Sequence, residues 1–166
     1  MRRLSVFMAL CFLFLPEVAG ALDYKAWFPI LPQTLGSMQT SGEPDGMNMD
    51  MGGQQWSSVH QAYASQDGKT SAELTIMAGK AAPQAQAWQA MANMNMETEE
   101  QIMKTVDVGG HKGMLTLDKK DKTGTLMIPL KNETVVVLHL EPASGETEIM
   151  QLGQQLPLAQ IADKAK

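Results

Sequence analysis

Methionine is the chain's most distinctive chemical resource. There are fourteen in 166 residues. Setting aside Met1 and Met8, six of the rest fall in two clusters: Met47-Asn48-Met49-Asp50-Met51, and Met91, Met94 and Met96. Thioether sulfur is a soft, uncharged donor that suits Cu(I) or Ag(I) and discriminates against zinc, calcium and magnesium. It is not protonated under ordinary conditions and forms no disulfide. Two other uses compete with metal binding. Methionine is unbranched and polarizable, so it fills irregular cores and adaptable surfaces. Exposed methionine also absorbs oxidant reversibly as the sulfoxide. Met77, Met114 and Met127 sit in strand-like runs and read as packing residues.

The Met47–Met51 segment resembles the methionine motifs of periplasmic copper- and silver-handling proteins. The resemblance covers five residues. It implies that Met47, Met49 and Met51 ligate Cu(I) or Ag(I), with Met94, Met96 or a histidine completing the shell.

Other chemistry is thin. His60, His111 and His139 show no metal-ligand spacing. No serine lies in a Gly-x-Ser-x-Gly elbow, and Gly52-Gly53 lacks the lysine and helix of a phosphate loop. Glu97, Glu99 and Glu100 read as a solvated helix exit, and Lys119, Lys120 and Lys122 around Asp121 as a solvated turn. With no nucleophile–base pair to nominate, the chain reads as non-enzymatic.

The elements that must position these groups begin after an export signal. Arg2-Arg3, an apolar run from Val6 to Leu15 and Ala19-Gly20-Ala21 are the three parts of a cleavable secretory leader over residues 1–21. The apolar run is too short to span a membrane, which takes ~20 residues. Beyond the leader stand eleven lysines against seventeen acids, and the sole cysteine, Cys11, is left behind. That balance disfavours nucleic acid and anionic membrane surfaces. The missing thiol excludes disulfide scaffolds and cysteine chemistry.

Residues 22–53 read as an N-terminal segment and a Met/Gly-rich loop. In the segment, Tyr24, Trp27 and Phe28 either dock on the domain or bind a partner, since aromatic side chains concentrate interface energy. From Gln54 onward, Gln66-Asp67-Gly68-Lys69, Gly109-Gly110 and Lys131-Asn132 separate strand-like runs, as hairpin turns do. Val135-Val136-Val137-Leu138 reads as a central strand buried on both faces. Ala85, Trp88 and Ala92, with Met91 beside them, give one apolar stripe on a helix from Pro83 to about Asn95. Ser144 is placed to cap a second helix.

The order strand, strand, helix, four strands, helix resembles the PsbP-like group of α+β domains over Gln54 to Lys166. The expectation is therefore an α+β domain over residues 54–166, with about six antiparallel strands and helices packed on one face. Its expected role is a soluble periplasmic binding or interaction module whose partner is an envelope protein or a small ligand. A Cu(I)/Ag(I)-binding protein is the alternative.

Overall fold

The computed structural model describes residues 23–79, 82 and 94–165. The expected leader and most of the helix over Pro83–Asn95, including Met91, lie outside the described residues.

Period-two alternation builds most of the molecule. In β4 (Gln54–Ala64) and β5 (Ser71–Ala78), Val59, Tyr63, Leu74 and Ile76 are buried together on one side. The turn between the two strands falls at Asp67-Gly68, where Gly68 has positive φ. Gly109 and Gly110 likewise turn β7 (Gln101–Val108) into β8 (His111–Asp118). Asn132 and Glu133, both with positive φ, turn β9 (Thr123–Pro129) into β10 (Thr134–Glu141). β10 lies between β5 and β9, and Val135 and Val136 are buried from opposite sides.

The expected fold class needs correction. The described residues are mostly β, with ten strands in one antiparallel sheet rather than about six. Much of the surplus comes from residues expected to form a loop. Thr34–Leu35 (β1) pairs with Met38–Thr40 (β2), and Asp45–Met51 (β3) pairs along its whole length with β4. The short Met96–Glu97 (β6) closes the far edge against β7. The path runs β1-β2-β4-β5-β10-β9-β8-β7-β6, with β3 beside β2 on the same edge of β4. The reason is turn chemistry. Gly52 and Gly53 both take positive φ, as a two-residue hairpin connection requires. Asp50 holds that turn by accepting from the Gly53 N–H at 2.9 Å and from Gln55 Nε2 at 2.9 Å. The Gln55 and Gly53 bonds together hold its carboxyl below the usual carboxylate range.

Helical structure among the described residues is limited to three short pieces, too little for the helical layer of an α+β domain. They are a 3-10 helix over Tyr24–Ile30, α1 (Glu146–Gly153) and α2 (Leu158–Lys164). They meet the sheet's inner face in one core with Leu126, Leu138 and Leu140. Lys104 on β7 reaches α1 through an ion pair with Glu146. The expected Ser144 cap is inverted. Glu148 Oε2 accepts from Ser144 N and Oγ, at 2.8 and 2.7 Å, and Gly145 is the N-cap.

The N-terminal segment belongs to this core. Trp27 is fully buried and its Nε1–H donates to the Ile161 carbonyl at 3.3 Å. Tyr63 OH donates to the Pro32 carbonyl at 2.9 Å, and burial pushes the phenol up to about 12. A folded value raised above the ordinary 10.0 means that this contribution is complete below pH 10 and lost as pH rises through 12. Tyr63→Phe is expected to lower stability by about 1 kcal/mol near neutral pH through the missing hydrogen bond. The gap between the two proteins should then close across that alkaline window. Urea unfolding of both as a function of pH checks this, and a gap constant through pH 12 contradicts it.

Candidate functional site

Residues directly opposed in an antiparallel pair share a face, and diagonal neighbours lie ~7–8 Å apart, within reach of long side chains. The register therefore assembles the outer face row by row. Met47, Ser58, Met77 and Val135 form one row across β3, β4, β5 and β10. Asp45, His60, Thr75, Val137, Met127 and Met114 form the next. Met49 faces Trp56 on the other side of the first row.

These rows enclose an open cleft of about 340 Å³, inside the size range of small-molecule sites. Trp56 stands at one end, Glu73 at the other, and Met47, Met77 and Val137 supply the apolar wall. Two polar groups in its lining bear on what it can hold.

The first is His60. Its Nδ1 lies 2.9 Å from Thr75 Oγ1 and 3.3 Å from Glu73 Oε1, while Thr75 Oγ1–H donates to Glu73 Oε1 at 3.2 Å. Thr75's proton is thus committed to Glu73, so its oxygen accepts. In the neutral ring this arrangement favours the tautomer with the proton on Nδ1 and the lone pair on Nε2. The second is Ser58, 2% exposed, whose Oγ has no hydrogen-bond partner among the described residues. An unpaired buried hydroxyl costs about 1–3 kcal/mol.

Ser58, His60 and Glu73 do not make a hydrolytic triad. Among the described residues the serine hydroxyl has no partner, imidazole included. The backbone N–H groups around it are spent in the strand ladder rather than aimed at an oxyanion.

The sequence-predicted ligands separate. Met47 is 45% exposed and lines the cleft. Met49 shares its face one row away, and Met51 pairs with Gln54 at the hairpin end. Met94 and Met96 are exposed, and Met96 on β6 lies seven strand steps from β3 along the sheet. At ~4.8 Å per step, Met96 and the β3 methionines stand on different parts of the sheet. Met77 and His60 join Met47 instead, from strands that the composition alone does not link. Among the described residues, no three His, Cys, Asp or Glu side chains gather as a metal-holding group.

His139 Nδ1 lies 3.1 Å from Thr125 Oγ1, and His111 lines a separate groove beside Pro157. Lys119 Nζ bonds Glu97 Oε1 at 3.2 Å and the Thr98 carbonyl at 2.9 Å, so the lysine turn and the acidic exit tie to each other. Of the aromatic trio, Trp27 is in the core. Tyr24 and Phe28 are half-buried against each other, ring centroids 5.5 Å apart, and Tyr24 N–H donates to Asn48 Oδ1 on β3 at 3.0 Å.

No protein-family model matches the chain, and no curated protein is similar to it. Among solved structures the chain is similar to the extracellular domain of PknH from Mycobacterium tuberculosis. That match has 13% identity and a TM-score of 0.38, covering 78% of this chain and 84% of that one. A likeness at that level carries no inference about this protein. Among the described residues no helix is long and apolar enough to cross a membrane.

Proposed function

We propose that this chain is a non-enzymatic binding module of the bacterial periplasm that takes a small ligand in the cleft between β3, β4 and β5. The observation that carries the reading is the buried Ser58 hydroxyl in the lining of this cleft, which has no hydrogen-bond partner among the described residues. Buried polar groups are almost always satisfied, and exceptions mark function. A ligand group that bonds Ser58 Oγ removes the penalty on binding. Met47 and Met77 adapt to the ligand's shape because thioether chains are flexible and polarizable. The export half of the reading rests on Arg2-Arg3, the apolar run and Ala19-Gly20-Ala21.

Ser58→Ala separates binding from stability. Deleting a buried hydroxyl that bonds nothing is expected to stabilise the fold by about 1 kcal/mol. The same change removes the polar anchor. Small neutral alcohols and primary amides are therefore expected to shift the backbone resonances of Ser58, His60, Thr75 and Val137 in the wild type, with weaker binding to the variant. Two results sink a hydrogen-bonding ligand: none of these probes perturbs those residues, or Ser58→Ala binds them unchanged. Recovery of the unprocessed chain from the cytoplasm would overturn its location.

A further inference from the structure

We infer that the ligand held in this cleft is a soft monovalent metal ion, Cu(I) or Ag(I), taken by the thioethers of Met47 and Met77 and by His60 Nε2. This deepens the cleft reading and rests on it. The ligand set is not a run along one strand. It is a triangle across three strands, fixed by register.

Met47 and Met77 flank Ser58 in one row, on β3 and β5. In that row the residue between them is a serine, the shortest hydroxyl side chain. His60 lies two residues along β4 from Ser58 and is therefore the diagonal neighbour of both methionines. That diagonal spacing, ~7–8 Å, is one that long side chains bridge. All three line the same cleft.

The imidazole is prepared as metal-ligating histidines are. One ring nitrogen is tied to a carboxylate and a hydroxyl through Glu73 and Thr75, which leaves the other as an oriented donor. The donor types select the metal. Two neutral sulfurs and one imidazole favour a soft ion, whereas calcium and magnesium require oxygen shells. Glu73, the carboxylate of the cleft, is already bonded to Thr75 and His60.

Ag(I) is the direct probe, since it needs no reductant. The purified protein is titrated with silver nitrate in chloride-free buffer. Methionine methyl and histidine ring-nitrogen resonances report the contacts. The expected result is one ion per chain, with shifts at the Met47 and Met77 methyls and at His60 Nε2. Met47→Leu and Met77→Leu keep volume and remove sulfur, and each should weaken binding roughly tenfold or more. Glu73→Gln, which touches no metal, should weaken it by roughly 10–100-fold through the ring it orients. Met103→Leu, on β7, should change nothing. Dispersed amide spectra of the leucine variants show that they fold.

The inference is overturned if the Met47→Leu/Met77→Leu double variant binds Ag(I) like the wild type. It is also overturned if Zn(II) competes equally and ignores the methionines. If Ag(I) leaves the three groups unshifted while alcohols or amides shift Ser58, the metal class falls and the cleft reading stands. If neither probe perturbs the cleft, both fall.

Discussion

Trp27→Ala lowers the free energy of unfolding by about 3–5 kcal/mol, the usual loss when a large aromatic side chain is removed from a core. Natural domains of this size hold only about 5–15 kcal/mol in total, so the variant is expected to sit near its unfolding transition at room temperature. Two losses add. The indole is fully buried among core residues, and the Ile161 carbonyl loses its donor at 3.3 Å. Trp27→Phe keeps most of the packing and forfeits the hydrogen bond, so it should fall between the two. Urea unfolding followed by circular dichroism decides the matter. A loss of less than about 1 kcal/mol for the alanine variant would mean that residues 23–32 are an appendage, not part of the core.

Gly79→Ala is the second large effect, and its cause is backbone geometry. Gly79 ends β5 at φ +117°, and a Cβ there would lie 2.3 Å from the Gln55 carbonyl oxygen and 2.8 Å from Trp56 Cα. Neither atom belongs to a flexible side chain, so β4 itself must move. Conformational strain of about 1–3 kcal/mol and overpacking of similar size predict a combined loss of about 3 kcal/mol or more. Gly52→Ala is the matched control. Its φ is +65°, but nothing lies within 4 Å of the added carbon, so only the left-handed strain of about 1–2 kcal/mol remains. Equal losses in the two variants would refute the steric account. Because the clash falls on Trp56, Gly79→Ala should also disturb resonances at the end of the cleft, and Gly52→Ala should not.

Legibility divided along a physical line. Turns whose chemistry is local were readable: Asp67-Gly68, Gly109-Gly110 and Lys131-Asn132 all stand between strands. Gly52-Gly53 carries an equally good turn signal, but the flanking residues hid it. Met47, Asn48 and Asp50 have little intrinsic strand preference. β3 exists because it pairs with all of β4's first half, a tertiary fact. The same blindness split the candidate site. Met-x-Met stands out as a sequence cluster, whereas its structural meaning is period two: Met47 and Met49 face the same way. Met77 and His60 were legible only through register. Once Gly52-Gly53 and Asp67-Gly68 are both read as hairpin turns, Ser58 must oppose Met47 on one side and Met77 on the other. No composition argument reaches the Ser58 hydroxyl, because its isolation depends on everything around it.

The bond between Trp27 and Ile161 joins residues 134 positions apart. This clasp cannot close until α2 has left the ribosome. At about 5–20 residues per second, that leaves the tryptophan waiting for several seconds or more after its own synthesis. A polypeptide whose first anchor is answered only by its last helix stays threadable while it is being made.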